Sequence, residues 1–440
     1  MDSRQAVLLY ASAPGCGGLF ADDVAATLAT RYYRPVRFDP FHRPDVARQY
    51  GLAGCPALAV LWPDGSLIAR AVDIPARRVR EFLVRHHDHL QKRPEMIRRI
   101  SPAGRRRVAI HPAAVRHQLA AGFDSTYSGF GGPAKHIEAS VLLLLQELRA
   151  GGDERAGHWL TRTLDRILAS QVWDREQGGV FSYSHTPDWQ SPSREKDLVD
   201  QAGLILVLGR EARVSRNYQR AGQELIDYIR KELYQPDMGT FASRQILEAS
   251  RPPWTDPVPC SDRNALTIPS LLVAGPALGR SVSAREMAFA TGRWLLEHAV
   301  EPDGAVKHCP SDDSTVEGLL VDQMLVALAF TALAQYGAGA DFRNAADDVK
   351  GWTERHLESE SGSFIDGPSP DLNGWRELRT FEDDLLPGGN ALAAEFYLME
   401  QDREQAARIL ADARLESGLG RAHAWAARIA LLLERGSGSQ

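Results

Sequence analysis

The chain has 440 residues, 44% of them hydrophobic and 25% charged, with a formal net charge of −6. This is the composition of a soluble globular chain long enough for two or more domains, and its acidic balance excludes the electrostatic footprint of a nucleic-acid binder. The opening MDSRQAVLLYAS has only a short apolar core, and no run of 18 apolar residues follows, so the chain reads as cytoplasmic with no membrane span.

Residues 6–11, 35–39, 57–62 and 66–71 have the apolar, β-branched character of short buried strands, and Pro63-Asp64-Gly65 marks a tight turn between the last two. Helical patterns fall at about 18–31, 44–50 and 75–90. The resulting βαβαββα order, with Gly54-Cys55-Pro56 entering the third strand, resembles the thioredoxin fold. There a redox motif sits at the start of the first helix, opposite a cis-proline, for which Pro56 is the counterpart. Ala13-Pro14-Gly15-Cys16-Gly17-Gly18-Leu19 stands where that motif falls, so Cys16 matches the nucleophile and Leu19 replaces the resolving cysteine: a degenerate CxxC site. The resemblance implies that Cys55 lies close to Cys16. Two readings stay open: a redox pair Cys16–Cys55, or a docking module in which Cys55 is a small buried hydrophobe. The basic, proline-containing stretch 91–112 is the boundary after this domain, 1–90.

From 113 to 435 the apolar spacing is helical, with candidate helices at 113–121, 136–150, 155–171, 195–211, 216–233, 264–279, 283–299, 316–336, 341–357, 388–400, 402–414 and 421–435. Residues 436–440 read as a tail. Connections alternate between short (151–154, 212–215, 280–282, 337–340) and long (172–194, 234–263, 300–315, 358–387). Asp153, Ser283 and Asp341 are expected N-caps beside the short links. Antiparallel helices joined this way put all the long links at one end. Leu198-Val199-Asp200-Gln201 returns as Leu320-Val321-Asp322-Gln323, and Gly178-Gly179-Val180-Phe181 is answered by Gly239-Thr240-Phe241, Gly304-Ala305-Val306 and Gly362-Ser363-Phe364, a period near 60. The expected fold class is an N-terminal α/β thioredoxin-like domain followed by an all-α (α/α)6 toroid of six helical hairpins. Acids at 200, 262, 322 and 384 share one phase in this reading and ring the mouth.

The phrases FDSTYSGFGGPAKH (123–136), GGVFSYSHTPDWQSPSREKDLVDQA (178–202), SDRNALTIPS (261–270), LLVDQML (319–325) and LPGGNALAA (386–394), joined to the thioredoxin-like N-terminus, resemble the YyaL/spermatogenesis-associated thioredoxin-fold family. That resemblance implies a six-hairpin glycosidase-like toroid, and it departs from the family pattern where Ser193 replaces a histidine. Similar toroids act on sugars, so a carbohydrate-like ligand or a protein at the mouth is expected, with catalysis by mouth carboxylates and a non-catalytic scaffold as alternatives.

The residues that carry such chemistry are Cys16, Asp200 and Asp322 as catalytic groups, and Asp188, Trp189, Glu195, Asp262, Arg263, Lys135, His136 and Asp384 as ligand contacts. Trp189, Tyr183, Trp254 and Trp375 could give a sugar a stacking platform. Glu195 with Lys196, and Asp262 with Arg263, could equally be ion pairs. With no GxGxxG, P-loop or HExxH motif, no cofactor and no metal are expected; His308-Cys309 offers adjacent ligands but no second pair. Four cysteines without paired spacing argue against a disulfide scaffold.

Overall fold

The computed structural model describes residues 5–14, 19–20, 22–52, 56–92, 106–247, 252–311, 316–368, 377–415 and 418–437. Cys16, Cys55 and Trp375 lie outside the described residues. Contacts divide the chain into two compact units, Met1–Gly104 with Ser314–Val316 and Gly367–Leu378, and Arg105–Asp313 with Glu317–Asp366 and Arg379–Gln440.

The first unit runs β1 (Val7–Ala11), α1 (Asp23–Tyr32), β2 (Arg34–Phe38), α2 (Pro44–Tyr50), β3 (Ala57–Leu61), β4 (Leu67–Val72), α3 (Ala76–Lys92). The sheet order is β2-β1-β3-β4, with β1 parallel to β2 and the other pairs antiparallel. Side chains alternate across a strand, so neighbouring residues serve opposite cores. Leu8, Leu58 and Val60 pack with Ala25 and Ala29 of α1 and Val79 and Leu83 of α3. Leu9, Ala57 and Ala59 pack with Ala47 and Tyr50 of α2 on the other face. That two-sided burial explains why β3 is apolar at every position. Helix α1 begins later than its apolar pattern suggests because Asp22 caps it, accepting from the Val24 amide at 2.9 Å.

The second unit contains α4 (Pro112–Gly122), α5 (Ala139–Ala150), α6 (Glu154–Ala169), α7 (Leu198–Glu211), α8 (Arg216–Tyr228), α9 (Ser261–Ala277), α10 (Ser281–Trp294), α11 (Leu320–Gln335), α12 (Ala340–Leu357), α13 (Gly389–Met399), α14 (Arg403–Ala411) and α15 (Ala424–Ser437). Helices α5, α7, α9, α11, α13 and α15 each pack on the next, and α15 returns to α5, which closes a ring. Each of α6, α8, α10, α12 and α14 packs outside the inner helix that precedes it, and α4 covers α15. Sequence chooses the layer. The inner α11, LVDQMLVALAFTALAQ, is buried from Leu320 to Leu333, whereas the outer α6 buries only the stripe Ala156, Trp159, Leu160, Thr163, Leu164 and Ile167. Asp153 caps α6 as expected. Ser283 and Asp341 do not cap: α10 starts earlier, at Ser281, and Asp341 pairs instead with Arg293 at 2.5 Å.

One motif recurs in four of the long links. Gly178, Gly239, Gly304 and Gly362 have φ between 73° and 98°, a conformation that side chains with a Cβ resist. Two residues on, the backbone amides of Val180, Phe241, Val306 and Phe364 donate to the side-chain oxygens of Gln201, Asn264, Gln323 and Asn390, at 2.9, 2.8, 2.6 and 2.8 Å. The four side-chain amides are fully buried and donate back, to Val180 O, Phe241 O, Gly304 O and Phe364 O. Each link is thereby fastened to the first turn of the next inner helix. Aligned on these amides, the preceding residues are Asp200, Arg263, Asp322 and Gly389. The four acids therefore do not share a phase: Asp262 is one residue early and Asp384 precedes α13 altogether. What repeats is the amide that satisfies the turn.

Candidate functional site

At the N-terminal ends of the inner helices, where the long links arrive, lies a cavity of about 290 Å³ whose wall includes His136, Glu138, Asp200, Asp383, Arg421 and Trp425. Gly203 shapes it, because a Cβ there would stand 2.5 Å from the Ala139 Cβ where α7 meets α5. Asp200, in the first turn of α7, is 5% exposed, and its Oδ2 has no hydrogen-bond partner among the described residues. Burial, and then the neighbouring Asp197 carboxyl, push Asp200 well above the usual carboxylate range, against a smaller opposing effect of the Ser182 hydroxyl. Its carboxyl faces the cavity and holds its proton to higher pH than an ordinary aspartate does.

His136 is an exposed residue whose ring stacks on Tyr183 with centroids 5.1 Å apart. Desolvation, and next the Arg421 guanidinium, hold it below the ordinary imidazole value, against the pull of Asp384. It is therefore a neutral base near pH 7. Asp384 also lines the wall. Asp383, half-buried, is pushed up to about 7 by burial, although its oxygens accept from the amides of Gly388 (3.2 Å) and Trp425 (2.9 Å). The indole nitrogen of Trp425 donates to Glu395 at 2.7 Å, which fixes that ring in the wall.

The remaining expected residues lie elsewhere or face inward. Asp262, Arg263 and Asp322 are buried and do not line this cavity. Arg263 binds both oxygens of Asp262 (3.1 and 3.0 Å) and approaches Asp197 at 3.6 Å, while His308 Nδ1 lies 2.9 Å from Asp322. Burial pushes Asp262 up, but Arg263 and His308 outweigh it and hold the carboxyl below its ordinary range. Ligand atoms of Asp262, His308 and Asp322 come within 4.8 Å of one another. The Arg263 guanidinium already sits on Asp262, so this donor set reads as an ion-pair network.

Glu195 and Lys196 do not pair with each other. Glu195 binds Arg244 at 2.9 Å. The Lys196 ammonium, fully buried, contacts Asp174 (2.6 Å), the Gly178 carbonyl (2.7 Å) and the rings of Phe181 and Tyr228. Lys135 repeats that clamp one unit earlier, on Asp124 at 3.0 Å. Both lysines brace turns and are withdrawn from any ligand.

Trp189 cannot be a stacking platform. It is 1% exposed, and its indole nitrogen donates to Ser128 O at 3.2 Å, pinning the first long link to the preceding turn. Asp188 braces the same loop, accepting from the Thr186 hydroxyl (2.6 Å) and the Gln190 amide (3.1 Å). Tyr183 stacks on His136 without lining the cavity, and Trp254 sits on a short outer strand beside Arg244. The Pro56 carbonyl, in the first unit, accepts from Ile74 N. Cys260 and Cys309 form a disulfide that ties the start of α9 to the link carrying His308, a pairing their spacing did not indicate. Glu138, Asp383, Arg421 and Trp425 were not legible as site residues. Only Asp383, beside Asp384 in FEDDLLPGGN, carried a signal, and the phase argument favoured its neighbour.

The fold and this acid-lined cavity define a six-hairpin α/α toroid. No family model matches the chain, and no curated protein matches it. Among solved structures it is similar to the cellobiose 2-epimerase of Spirochaeta thermophila (TM-score 0.60, 12% identity, 74% of this chain and 94% of that one). It is also similar to the cellobiose 2-epimerase of Bacillus thermoamylovorans (0.59, 12%, 73% and 96%) and to a GH76 α-mannanase of Bacteroides thetaiotaomicron (0.53, 9%, 74% and 95%). At these identities the likeness establishes the fold. Among the described residues no helix is long and apolar enough to cross a membrane.

Proposed function

We propose that the toroid is a carbohydrate-active enzyme that holds a small sugar in the cavity and moves protons on it, with Asp200 as the acid and His136 as the base. The observation that carries this is Asp200 itself: a buried carboxyl on a cavity wall, held above its ordinary range, with one oxygen lacking a partner among the described residues. An acid donor left unsatisfied by its own fold is satisfied by a ligand oxygen. The volume, near the lower end of the roughly 300–1,000 Å³ of small-molecule sites, suits a monosaccharide unit. In the open-chain sugar His136 takes the proton from the carbon beside the carbonyl while Asp200 gives its proton to the carbonyl oxygen, leaving a neutral enediol. When His136 returns its proton to the former carbonyl carbon and Asp200 takes the proton of the neighbouring hydroxyl, the sugar is isomerised; when the enediol first turns its other face to His136 and Asp200 takes back the proton it gave, the sugar is epimerised. The similar folds named as epimerases agree with this reading and add only analogy. Hydrolysis by a carboxyl pair is the second reading, favoured by the several acids on one wall.

We also infer that the first unit is a thioredoxin-like domain and the chain a member of the family its phrases resemble. The β2-β1-β3-β4 order and the position of Pro56 before β3 support that inference.

The test of the sugar reading is exchange in deuterated water. Incubated with mannose, glucose, fructose or cellobiose, the wild type is expected to wash deuterium into the carbon beside the carbonyl, and Asp200→Asn to slow this at least about 100-fold. Release of new reducing ends without exchange would favour hydrolysis, and neither reaction with any of these sugars would reject the proposal.

A further inference from the structure

The charges facing the cavity point to the class of sugar it takes. Among the described residues four carboxyl groups line the wall, Glu138, Asp200, Asp383 and Asp384, against one guanidinium, Arg421, and the imidazole of His136. Arg421 is already bound to Glu138. The other nearby cations are engaged as well: Lys135 by Asp124, Arg263 by Asp262 and Asp197, and Arg428 by Glu395. A ligand carboxylate entering this space would meet a wall of acidic side chains and, among the described residues lining it, no uncommitted cation, and like charges in a space of low effective dielectric repel strongly. An uncharged hydroxyl, by contrast, can accept from the Asp200 acid and donate to Asp384.

We propose that the cavity admits uncharged monosaccharides and rejects sugar acids, and that Glu138 sets this selectivity by occupying Arg421. The proposal rests on the reading of the cavity as a sugar site. It assigns Glu138 a specificity role rather than a catalytic one, because the residue would act by withholding the one guanidinium on the wall from a ligand carboxylate.

The experiment is titration calorimetry at pH 7.5 with glucose, mannose and glucuronate. The wild type is expected to bind at least one neutral sugar about 10-fold or more tightly than glucuronate. Glu138→Gln frees Arg421 and is expected to strengthen glucuronate binding at least about 10-fold, a gain that fades with added salt. Asp384→Asn, at an exposed position, is expected to narrow the preference as well. Glucuronate binding as tight as that of the neutral sugars in the wild type overturns the proposal while leaving the sugar site intact. So does an unchanged ratio in both variants once melting shows them folded. Failure of all three sugars to bind rejects the sugar site itself.

Discussion

Gln201 and Val180, both fully buried, exchange two hydrogen bonds, Val180 N to Oε1 at 2.9 Å and Nε2 to Val180 O at 2.7 Å. The pair fastens the first long link to α7 one residue from Asp200. Gln201→Ala leaves a buried backbone N–H and C=O without partners, at about 1–3 kcal/mol each. Chemical denaturation of this variant should show a loss of about 2–5 kcal/mol. A loss below about 1 kcal/mol would mean that the link is held by other contacts.

Trp189 provides a second structural test at a residue that looks like a sugar platform. Its ring is buried, and a Cβ on Gly129 would stand 2.7 Å from it. Trp189→Ala should cost about 3–5 kcal/mol of stability and leave sugar affinity, in whatever fraction stays folded, within about threefold. A selective loss of affinity with unchanged melting would restore the ligand role.

The disulfide Cys260–Cys309 closes a loop with a sequence separation of 49. Constraint of the unfolded chain on that scale stabilises by about 2–4 kcal/mol. Melting with and without reductant should therefore differ by several degrees, and the difference should vanish in Cys260→Ser/Cys309→Ser. Peptide mapping under non-reducing conditions that recovers both cysteines as free thiols would contradict the bond.

The carboxyls predict a pH dependence of known sign. Burial pushes Asp197 up to about 6 and Asp383 up to about 7, from 3.8. The native state then holds more protons than the unfolded chain, so each contribution to stability is fully present below about 4 and is lost as pH rises toward 6 and 7. His423, buried and held low by desolvation, acts in the opposite sense. Asp197→Asn removes one titration and leaves the histidine. Its melting temperature relative to wild type should rise from pH 4.5 to about 6 and level off above that; a constant difference across pH 4.5 to 7.5 would show that Asp197 is not shifted.

Much of the architecture was legible because repetition is a global signal. The recurring Gly178-type turns and the Asp-Gln of Leu198–Gln201 and Leu320–Gln323 report one structural device, the side-chain amide on a left-handed turn. The same repetition misled the reading of the site. Acids at 200, 262, 322 and 384 are evenly spaced in sequence, but a helix turns about 100° per residue. The one-residue offset of Asp262 therefore puts its carboxyl on Arg263, and Asp322 turns to His308. Glu138, Arg421 and Trp425 come from opposite ends of the second unit and meet only because α15 closes onto α5. No local pattern announces such a meeting.

The central claim is that a sugar binds against Asp200, and the most direct measurement is a crystal structure of Asp200→Asn soaked with mannose or glucose. The account predicts a pyranose or open-chain sugar in the cavity, with an oxygen within hydrogen-bond distance of the residue 200 side chain and His136 beside a carbon next to the carbonyl. A sugar bound elsewhere, with this cavity holding only water, would contradict it.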